Sequence, residues 1–283
     1  GFQASELSSI QASQPPSFPT SQQQTTCDSR QTTSKSHAAA PGSNKPTKKI
    51  RCTFFVLGWI AERLPNLVRE IQSRGHEIGS HGYHHNLPDR LPAAELKMDL
   101  TDSKKRLEDL IGSPGSGYRA PSFAINDDIL KIIEDCGYLY DSSYNSFGLH
   151  GRYGRISLKG RGKFGIAYEL SDNFYELPLS NLMVNGRFLP LGGGAYFRLI
   201  PMPLFNLGIK SILRKEDAYV FYMHPWELDP GQPRVREATF QFRFRHNTGL
   251  NRASEKLRKL IKEFGRCWFI PCSRYLALKG GGL

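Results

Sequence analysis

The chain of 283 residues lacks several features that would assign it to a class at once. No apolar run of about 18 residues occurs, so no transmembrane helix is predicted, and the first residues lack the basic-then-apolar pattern of a signal peptide. No export signal is therefore expected in this chain, which leaves cytoplasmic and cell-envelope locations open. The five cysteines form no CxxC pair, and their odd number argues against a closed disulfide framework, so reduced thiols are expected.

Acidic residues are in the minority. The chain has 38 Lys and Arg against 26 Asp and Glu, which gives a formal net charge of +12. Such an excess suggests affinity for anions, but the basic residues are scattered, as in 152–163 and 252–262, and a solvated surface is the first interpretation. Nucleic acid is not the expected partner, and the hypothesis of a nucleic-acid-binding protein requires the charge to cluster on one face.

Large apolar side chains are scarce in residues 1–49, which are rich in Ser, Gln, Thr and Pro. Such a segment cannot bury enough surface to offset the entropy lost on ordering. We therefore predict a disordered low-complexity segment at 1–49, a folded domain at 50–275 and a flexible tail at 276–283.

From residue 50 onward, short apolar runs alternate with amphipathic stretches. Strands are predicted at 52–57, 77–80, 174–179, 189–191 and 218–223, and helices at 60–74, 93–110 and 127–136. Repeated βα alternation predicts an α/β fold whose parallel sheet is closed or partly closed into a barrel. Such barrels keep their chemistry on the loops that follow the carboxyl ends of the strands.

Two histidines, His81 and His85, lie four residues apart after the strand predicted at 77–80. One helical turn would put both imidazoles on the same face, a spacing typical of metal ligands. His84 would project away on such a turn, so it is not a predicted ligand. A hydrolytic zinc site needs three protein ligands and an open position, and an isolated HxxxH is more often a chance crowding of histidines in a polar turn. Whether these histidines bind a metal therefore has to be judged from further motifs in the chain.

Further motifs occur in a fixed order along the chain. Together with the histidine stretch, they occupy residues 52–58, 75–85, 117–123, 140–143, 191–198 and 221–227. With this ordered set, the chain resembles the polysaccharide deacetylases of the NodB-homology class, carbohydrate esterase family 4. The similarity is greatest to the DUF3473-like branch found in bacterial exopolysaccharide gene clusters. The resemblance covers most of residues 50–265 and implies a distorted, partly closed (β/α) barrel.

The resemblance implies a metal-dependent hydrolase that removes N-acetyl groups from an amino-sugar polysaccharide or oligosaccharide, in exopolysaccharide or cell-wall glycan metabolism. His81 and His85 would hold a divalent ion, Zn²⁺ by preference, which polarises the amide carbonyl and activates water. His224 would be the general acid that protonates the departing sugar amine. Outside this family, a packed histidine at a strand end would be the more ordinary interpretation.

Two more residues receive implied catalytic roles. Asp141 would hydrogen-bond His224 and stabilise its imidazolium, although an Asp before two serines is equally typical of a helix or turn cap. Arg119 would orient the catalytic carboxylate, with a surface ion pair as the alternative. The implied sugar-binding residues are Tyr118, Pro121 and Trp226, although most Tyr and Trp side chains in such a chain belong to the core.

One element of the family pattern is missing from the sequence. The family carries an Asp-rich strand ahead of the strand at 52–57, which supplies the third metal ligand and the general base. Only Asp28 lies in that window, with no apolar strand around it. The resemblance thus implies a barrel whose first strand is missing. Two hypotheses follow: a deacetylase that obtains its carboxylate from Asp28 or another position, and a catalytically impaired relative that binds glycan without turnover.

Overall fold

The structure, a computed structural model, describes residues 49–147, 153–234 and 237–280, together with the backbone of residues 22–28. Its strands are β1 (Gln22–Asp28), β2 (Thr53–Val56), β3 (Glu77–Ser80), β4 (Gly117–Tyr118), β5 (Tyr140–Asp141), β6 (Gly162–Phe164), β7 (Ala167–Ser171), β8 (Phe174–Glu176), β9 (Leu182–Val184), β10 (Arg187–Leu189), β11 (Ala218–Met223) and β12 (Trp268–Ile270). Its α-helices are α1 (Gly58–Arg63), α2 (Pro65–Ser73), α3 (Ala93–Ile111), α4 (Asp127–Asp135), α5 (Gly194–Leu199), α6 (Met202–Lys215), α7 (Phe240–Asn247), α8 (Leu250–Glu263) and α9 (Cys272–Leu278). No helix of this described part is long and apolar enough to cross a membrane.

The main sheet has the strand order β11-β1-β2-β3-β4-β5-β8-β7-β6, with β12 also paired to β1. Strands β2, β3, β4, β5 and β8 are parallel. Because β1 is antiparallel to both β2 and β11, strand β11 runs in the same direction as β2. The carboxyl ends of six strands therefore lie at one edge of the sheet, which we call the carboxyl edge. These strands are β2, β3, β4, β5, β8 and β11. The predicted α/β fold is confirmed.

The sheet curls on itself. In a flat sheet β8 would lie about 29 Å from β11, given six steps of roughly 4.8 Å each. Instead, the backbone N–H of Val220 in β11 donates to the hydroxyl of Ser180, four residues after β8, at 2.8 Å. Buried side chains from both regions, Leu177 and Val220 among them, share one core cluster. The barrel is thus partly closed by packing, while among the described residues β6 and β11 do not pair.

A strand occupies the place where the sequence predicted none. Strand β1 lies between β2 and β11, within the segment 1–49 for which disorder is predicted. The two flanking strands each leave an unpaired edge that an extended segment of polar sequence can fill through backbone hydrogen bonds alone. The other residues before 49 lie outside the described part of the chain.

Other boundaries differ from the predictions in detail. The helix predicted at 60–74 is broken into α1 and α2, because Pro65 begins a new helix instead of continuing the old one. The strand predicted at 189–191 is β10, which pairs with β9 in a separate hairpin turned by Asn185 and Gly186, both with positive φ. Helix α9 continues to Leu278 with Leu276 buried, past the predicted domain end at 275.

The oxidation state of the cysteines agrees with the expectation of reduced thiols only in part. Cys52, Cys136 and Cys272 are free thiols. Cys267 is disulfide-bonded, so the expectation of reduced thiols is wrong at that position.

Candidate active site

The polar residues singled out by the motifs lie at the carboxyl edge of the sheet. His81 follows β3, Arg119 follows β4 and His224 follows β11, while Asp141 is the last residue of β5. Since parallel strands end together, residues far apart in sequence meet at this edge. Electrostatic interaction with His224 contributes to the lowered pKa of both His81 and His85, so the three histidines lie near one another.

His81 and His85 face each other. Their ring centroids are 5.0 Å apart with an interplanar angle of 69°. Nδ1 of the buried His81 lies 2.6 Å from the carbonyl oxygen of Arg119. Because a carbonyl only accepts, Nδ1 carries the proton and Nε2 presents its lone pair, the arrangement usual for metal-binding histidines.

The backbone between these histidines is a bend, and the predicted helical turn is absent. Gly82 and His85 both have positive φ, which turns the chain sharply. Asp99 of α3 fixes the loop, because its carboxylate accepts hydrogen bonds from the backbone N–H groups of Tyr83 and His84. The His84 ring packs against Tyr83, away from the facing pair.

Both facing imidazoles favour the neutral form. Burial lowers the pKa of His81 well below its ordinary value, and the charge of His85 lowers it further. Burial is also the main cause of the lowered pKa of His85, followed by the charge of His224. Neutral imidazole is the form that binds metal ions, so the donor chemistry of this pair fits a divalent metal.

The ligand set is only partial in the described part of the chain. No group of three or more His, Cys, Asp or Glu residues is placed there to hold a metal ion. Asp28 is not at this site, because it pairs with Ala218 at the start of β11, whereas His224 follows the end of that strand. Six residues of strand separate the two positions, roughly 20 Å. The hypothesis that Asp28 supplies the missing carboxylate is therefore wrong for this fold.

Arg119 is completely buried, which excludes the alternative of a surface ion pair. Its Nε and Nη2 donate to the carbonyl and hydroxyl oxygens of Ser142 at 2.6 and 2.7 Å. The guanidinium also packs over the Phe55 ring at 4.6 Å. Its remaining nitrogen, Nη1, is buried and has no hydrogen-bond partner among the described residues. One donor of a fixed, planar fork is therefore available to an acceptor.

The carboxylate beside His224 is Glu227, and Asp141 makes other bonds. Glu227 Oε1 lies 3.0 Å from the backbone nitrogen of His224 and 3.4 Å from its Nδ1. Asp141 accepts from the backbone N–H and hydroxyl of Ser143, which is the turn cap that the sequence left as an alternative. The expected bond from Asp141 to His224 is therefore replaced by one from Glu227.

Asp141 also faces a second buried carboxyl group, that of Glu176 at the end of β8. Burial is the main cause of a raised pKa in both groups, and the Asp141 charge raises the pKa of Glu176 further. Burial and the neighbouring Asp141 charge therefore both favour the protonated form of Glu176.

The three expected sugar-binding residues differ in accessibility. Tyr118 is 1% exposed and packs against Tyr138 in a core cluster, so it has no face for a sugar. Pro121 is likewise buried at the start of a 3-10 helix. Trp226 is half-buried and lies between two stacked rings, His224 at 5.5 Å and His246 at 4.2 Å. Of the three, only Trp226 is partly exposed, and its ring contacts that of His224.

Comparison with known sequences fits this arrangement. A family model described as "Polysaccharide deacetylase" matches residues 46–140, and one described as "Domain of unknown function (DUF3473)" matches residues 142–276. These matches, which together cover most of the chain, support a NodB-type polysaccharide deacetylase. His81, His85 and Arg119 lie in the part matched by the deacetylase model, and His224 lies in the DUF3473 part.

Curated relatives match a limited stretch of the chain. The chain is 34% identical over 90 residues to a peptidoglycan-N-acetylglucosamine deacetylase of Bacillus cereus, covering 32% of the chain and 42% of that protein. It is 34% identical over 87 residues to a chitooligosaccharide deacetylase of Azorhizobium caulinodans, covering 30% and 41%. The chain thus spans less than half the length of these relatives.

A solved structure covers more of the chain. A crystal structure of a Mycobacterium smegmatis protein assigned to the polysaccharide deacetylases superposes with a TM-score of 0.55 over 82% of this chain and 72% of that one. The two sequences are 23% identical, so this likeness concerns the fold.

Sequence reasoning missed three residues that organise the site. Glu227 ends the motif at 221–227, and Arg198 ends the motif at 191–198. Opposite charges at the ends of two motifs were a signal for the ion pair that the structure shows between them. Asp99 gave no signal, because nothing in the sequence around a helical Asp indicates that it holds a loop of another element.

Proposed function

We propose that the chain is a metal-dependent hydrolase that removes N-acetyl groups from an amino-sugar polysaccharide or oligosaccharide. The observation that carries this proposal is the pair of neutral imidazoles, 5.0 Å apart, at the same edge of the sheet as His224. The family assignment and the names of the curated relatives support the choice of an acetylated glycan as substrate.

Each residue has a physical task in this reaction. His81 and His85 would hold the metal, and the carbonyl of Arg119 keeps His81 in the tautomer that presents Nε2. A bound divalent ion supplies a Lewis acid for the acetamide carbonyl and lowers the pKa of water. His224, when protonated, gives a proton to the amine nitrogen as the C–N bond breaks.

The finer assignments belong to the same proposal. Zn²⁺ is the preferred ion because imidazole nitrogen suits it and a hydrolytic site needs no redox chemistry. The substrate belongs to exopolysaccharide or cell-wall glycan metabolism, which the peptidoglycan and chitooligosaccharide deacetylases among the relatives support.

Acetate release tests the proposal. The chain is incubated with an N-acetylated chitooligosaccharide and Zn²⁺, and acetate is measured alongside the variants His81→Ala and His84→Ala. Release by the wild type and by His84→Ala, with loss in His81→Ala, is the expected result. Release that is unchanged in His81→Ala would contradict the assignment of this site.

A second function is favoured by one observation, the buried and unpartnered Nη1 of Arg119 in the described part of the chain. In this alternative the chain binds glycan and does not hydrolyse it, because no described carboxylate reaches the guanidinium to act as base. Glycan binding measured by calorimetry, together with no acetate release at saturating Zn²⁺, would favour the impaired relative over the enzyme.

A further inference from the structure

The carboxylate of Glu227 is held in one orientation. Its Oε2 accepts from Nε of Arg198 at 2.8 Å, in an ion pair whose side chains are 2% and 0% exposed. Its Oε1 is thereby left to face the backbone nitrogen and Nδ1 of His224. Although burial opposes ionisation, the hydrogen bonds and charge of His224 together with Arg198 lower the pKa of Glu227, so this group is a carboxylate at neutral pH.

Arg198 is itself fixed by the end of a helix. Its Nη1 and Nη2 donate to the carbonyl oxygens of Arg245, His246 and Thr248, at the carboxyl end of α7. These carbonyls have no partners within the helix, so the guanidinium satisfies them and is held by them. A buried charge pair with all its bonds made is geometrically rigid, and it fixes Glu227 from behind.

The backbone leaves no room for the carboxylate to move toward α5. A Cβ atom built on Gly194 would lie 2.2 Å from Glu227 Oε1 and 2.6 Å from Oε2. Only a residue without a side chain permits this approach. Three elements therefore enclose the carboxylate: α5 through Gly194 and Arg198, α7 through its final carbonyls, and the 3-10 helix Pro225–Leu228 that carries Glu227 itself.

We propose that Glu227, held by Arg198, is the positioning residue that fixes the proton of His224 on Nδ1. A carboxylate oxygen only accepts, so an imidazole facing it presents Nδ1–H and leaves Nε2 for the substrate. When His224 is doubly protonated, the Nε2 proton passes to the departing amine nitrogen and the Nδ1 proton stays against Glu227. The inference rests on the proposed function for its chemistry, but the orientation of the ring stands independently.

Asp141 provides the natural comparison. It is a buried carboxyl at the same edge of the sheet, and the family resemblance gives it the task proposed here for Glu227. Its oxygens are engaged by Ser143 and it faces Glu176, so it is not the group that sets the tautomer of His224. Replacing either acid by its amide is therefore a matched pair of tests.

The amide at position 227 has a defined effect. In Glu227→Gln the side-chain oxygen is drawn to Arg198, because the charged guanidinium is a stronger donor than the neutral backbone N–H of His224. The NH₂ group then faces His224 and offers a proton to Nδ1, which has to become the acceptor. The proton of the neutral ring should move to Nε2. A purely structural role for Glu227 would not invert the tautomer in this way.

The test is ¹⁵N NMR of the histidine-labelled full chain at a pH where the imidazoles are neutral, with the His224 resonance assigned by its loss in His224→Gln. The wild type should show the Nδ1–H tautomer, Glu227→Gln should show Nε2–H, and Asp141→Asn should match the wild type. This measurement needs no turnover, so its outcome is separate from that of the acetate-release assay.

Three results would overturn the proposal: an Nε2–H tautomer in the wild type, an unchanged tautomer in Glu227→Gln, or inversion in Asp141→Asn. If Glu227→Gln does not fold, Gly194→Ala takes its place, since the added methyl displaces the carboxylate while keeping its charge. That variant should lose the Nδ1–H preference, and retention of the preference would count against the proposal. If acetate release is observed, Glu227→Gln should lower kcat by about 10²-fold or more with a smaller change in KM.

Discussion

The imidazole rings of His81 and His85 lie 5.0 Å apart and nearly edge to face, although no helical turn connects them. We predict that alanine at either position lowers Zn²⁺ affinity by at least about tenfold, since each removes a ligand. His84→Ala is the matched control and should bind Zn²⁺ like the wild type, because its ring packs on Tyr83. Calorimetric titration measures all three, and an equal loss in His84→Ala would refute the assigned pair.

The buried acid pair predicts how stability depends on pH. The pKa of Glu176 is raised well above its ordinary value, mainly by burial and then by the Asp141 charge. The folded state therefore binds the proton more tightly than the unfolded state. This contribution to stability is complete below the ordinary carboxyl pKa and is lost as the pH rises through the folded-state pKa.

Glu176→Gln mimics the protonated carboxyl group at every pH, so the variant should not lose this stability as the pH rises. Relative to the wild type, we expect the variant to gain at least about 1 kcal/mol in free energy of unfolding between pH 5 and pH 8. Urea denaturation at both pH values measures the difference, with the exposed Asp109→Asn as control. A wild type and Glu176→Gln with parallel pH profiles would show that the pair carries no retained proton.

Thiol reactivity should follow burial. Cys272 is fully buried, and burial raises its pKa to about 12. Burial also raises the pKa of Cys52 far above the usual range. Because the thiolate is the reactive form, neither should be alkylated by iodoacetamide in the native protein at pH 8. The half-buried Cys136 should react first, and mass spectrometry after timed quenching gives the order. Early labelling of Cys272 would mean that the packing of α9 is not as described.

The two aromatic candidates for sugar contact should separate in a binding experiment. Tyr118→Phe should leave glycan affinity unchanged, since the ring is buried against Tyr138. Trp226→Ala should weaken it about threefold to tenfold, because the indole borders the site beside His224 and offers stacking area. Titration of an N-acetylated oligosaccharide into both variants measures the two affinities. A loss of affinity confined to Tyr118→Phe would mean that Tyr118, and not Trp226, contacts the sugar.

Much of this protein could be predicted from local sequence. The helix predicted at 93–110 is α3, and the strands predicted at 77–80 and 218–223 are β3 and β11, because apolar periodicity reflects which side chains each element buries. The family motifs placed His81, His85, Arg119 and His224 at strand ends, and parallel pairing brings those ends to one edge.

The strand at 22–28 could not be predicted in the same way. Its sequence, Gln-Gln-Gln-Thr-Thr-Cys-Asp, has no apolar alternation, and it pairs with β2, β11 and β12 through backbone groups. Backbone hydrogen bonding is common to all residues, so no side-chain pattern announces it. The antiparallel direction also decides that Asp28 ends at the edge remote from His224.

Local sequence is enough to identify the residue types that carry the chemistry: the spaced histidines, an arginine two residues before a proline, and a histidine that follows an apolar strand. Which of these residues act together depends on the packing of distant elements. Asp141 and Glu227 are both acids in family stretches, but Asp141 is engaged by Ser143 and Glu176, while Arg198 turns Glu227 toward His224. The reason is physical: hydrogen bonds are short and directional, so the partner of a buried carboxylate depends on distances of a few ångströms between elements that lie far apart in the chain.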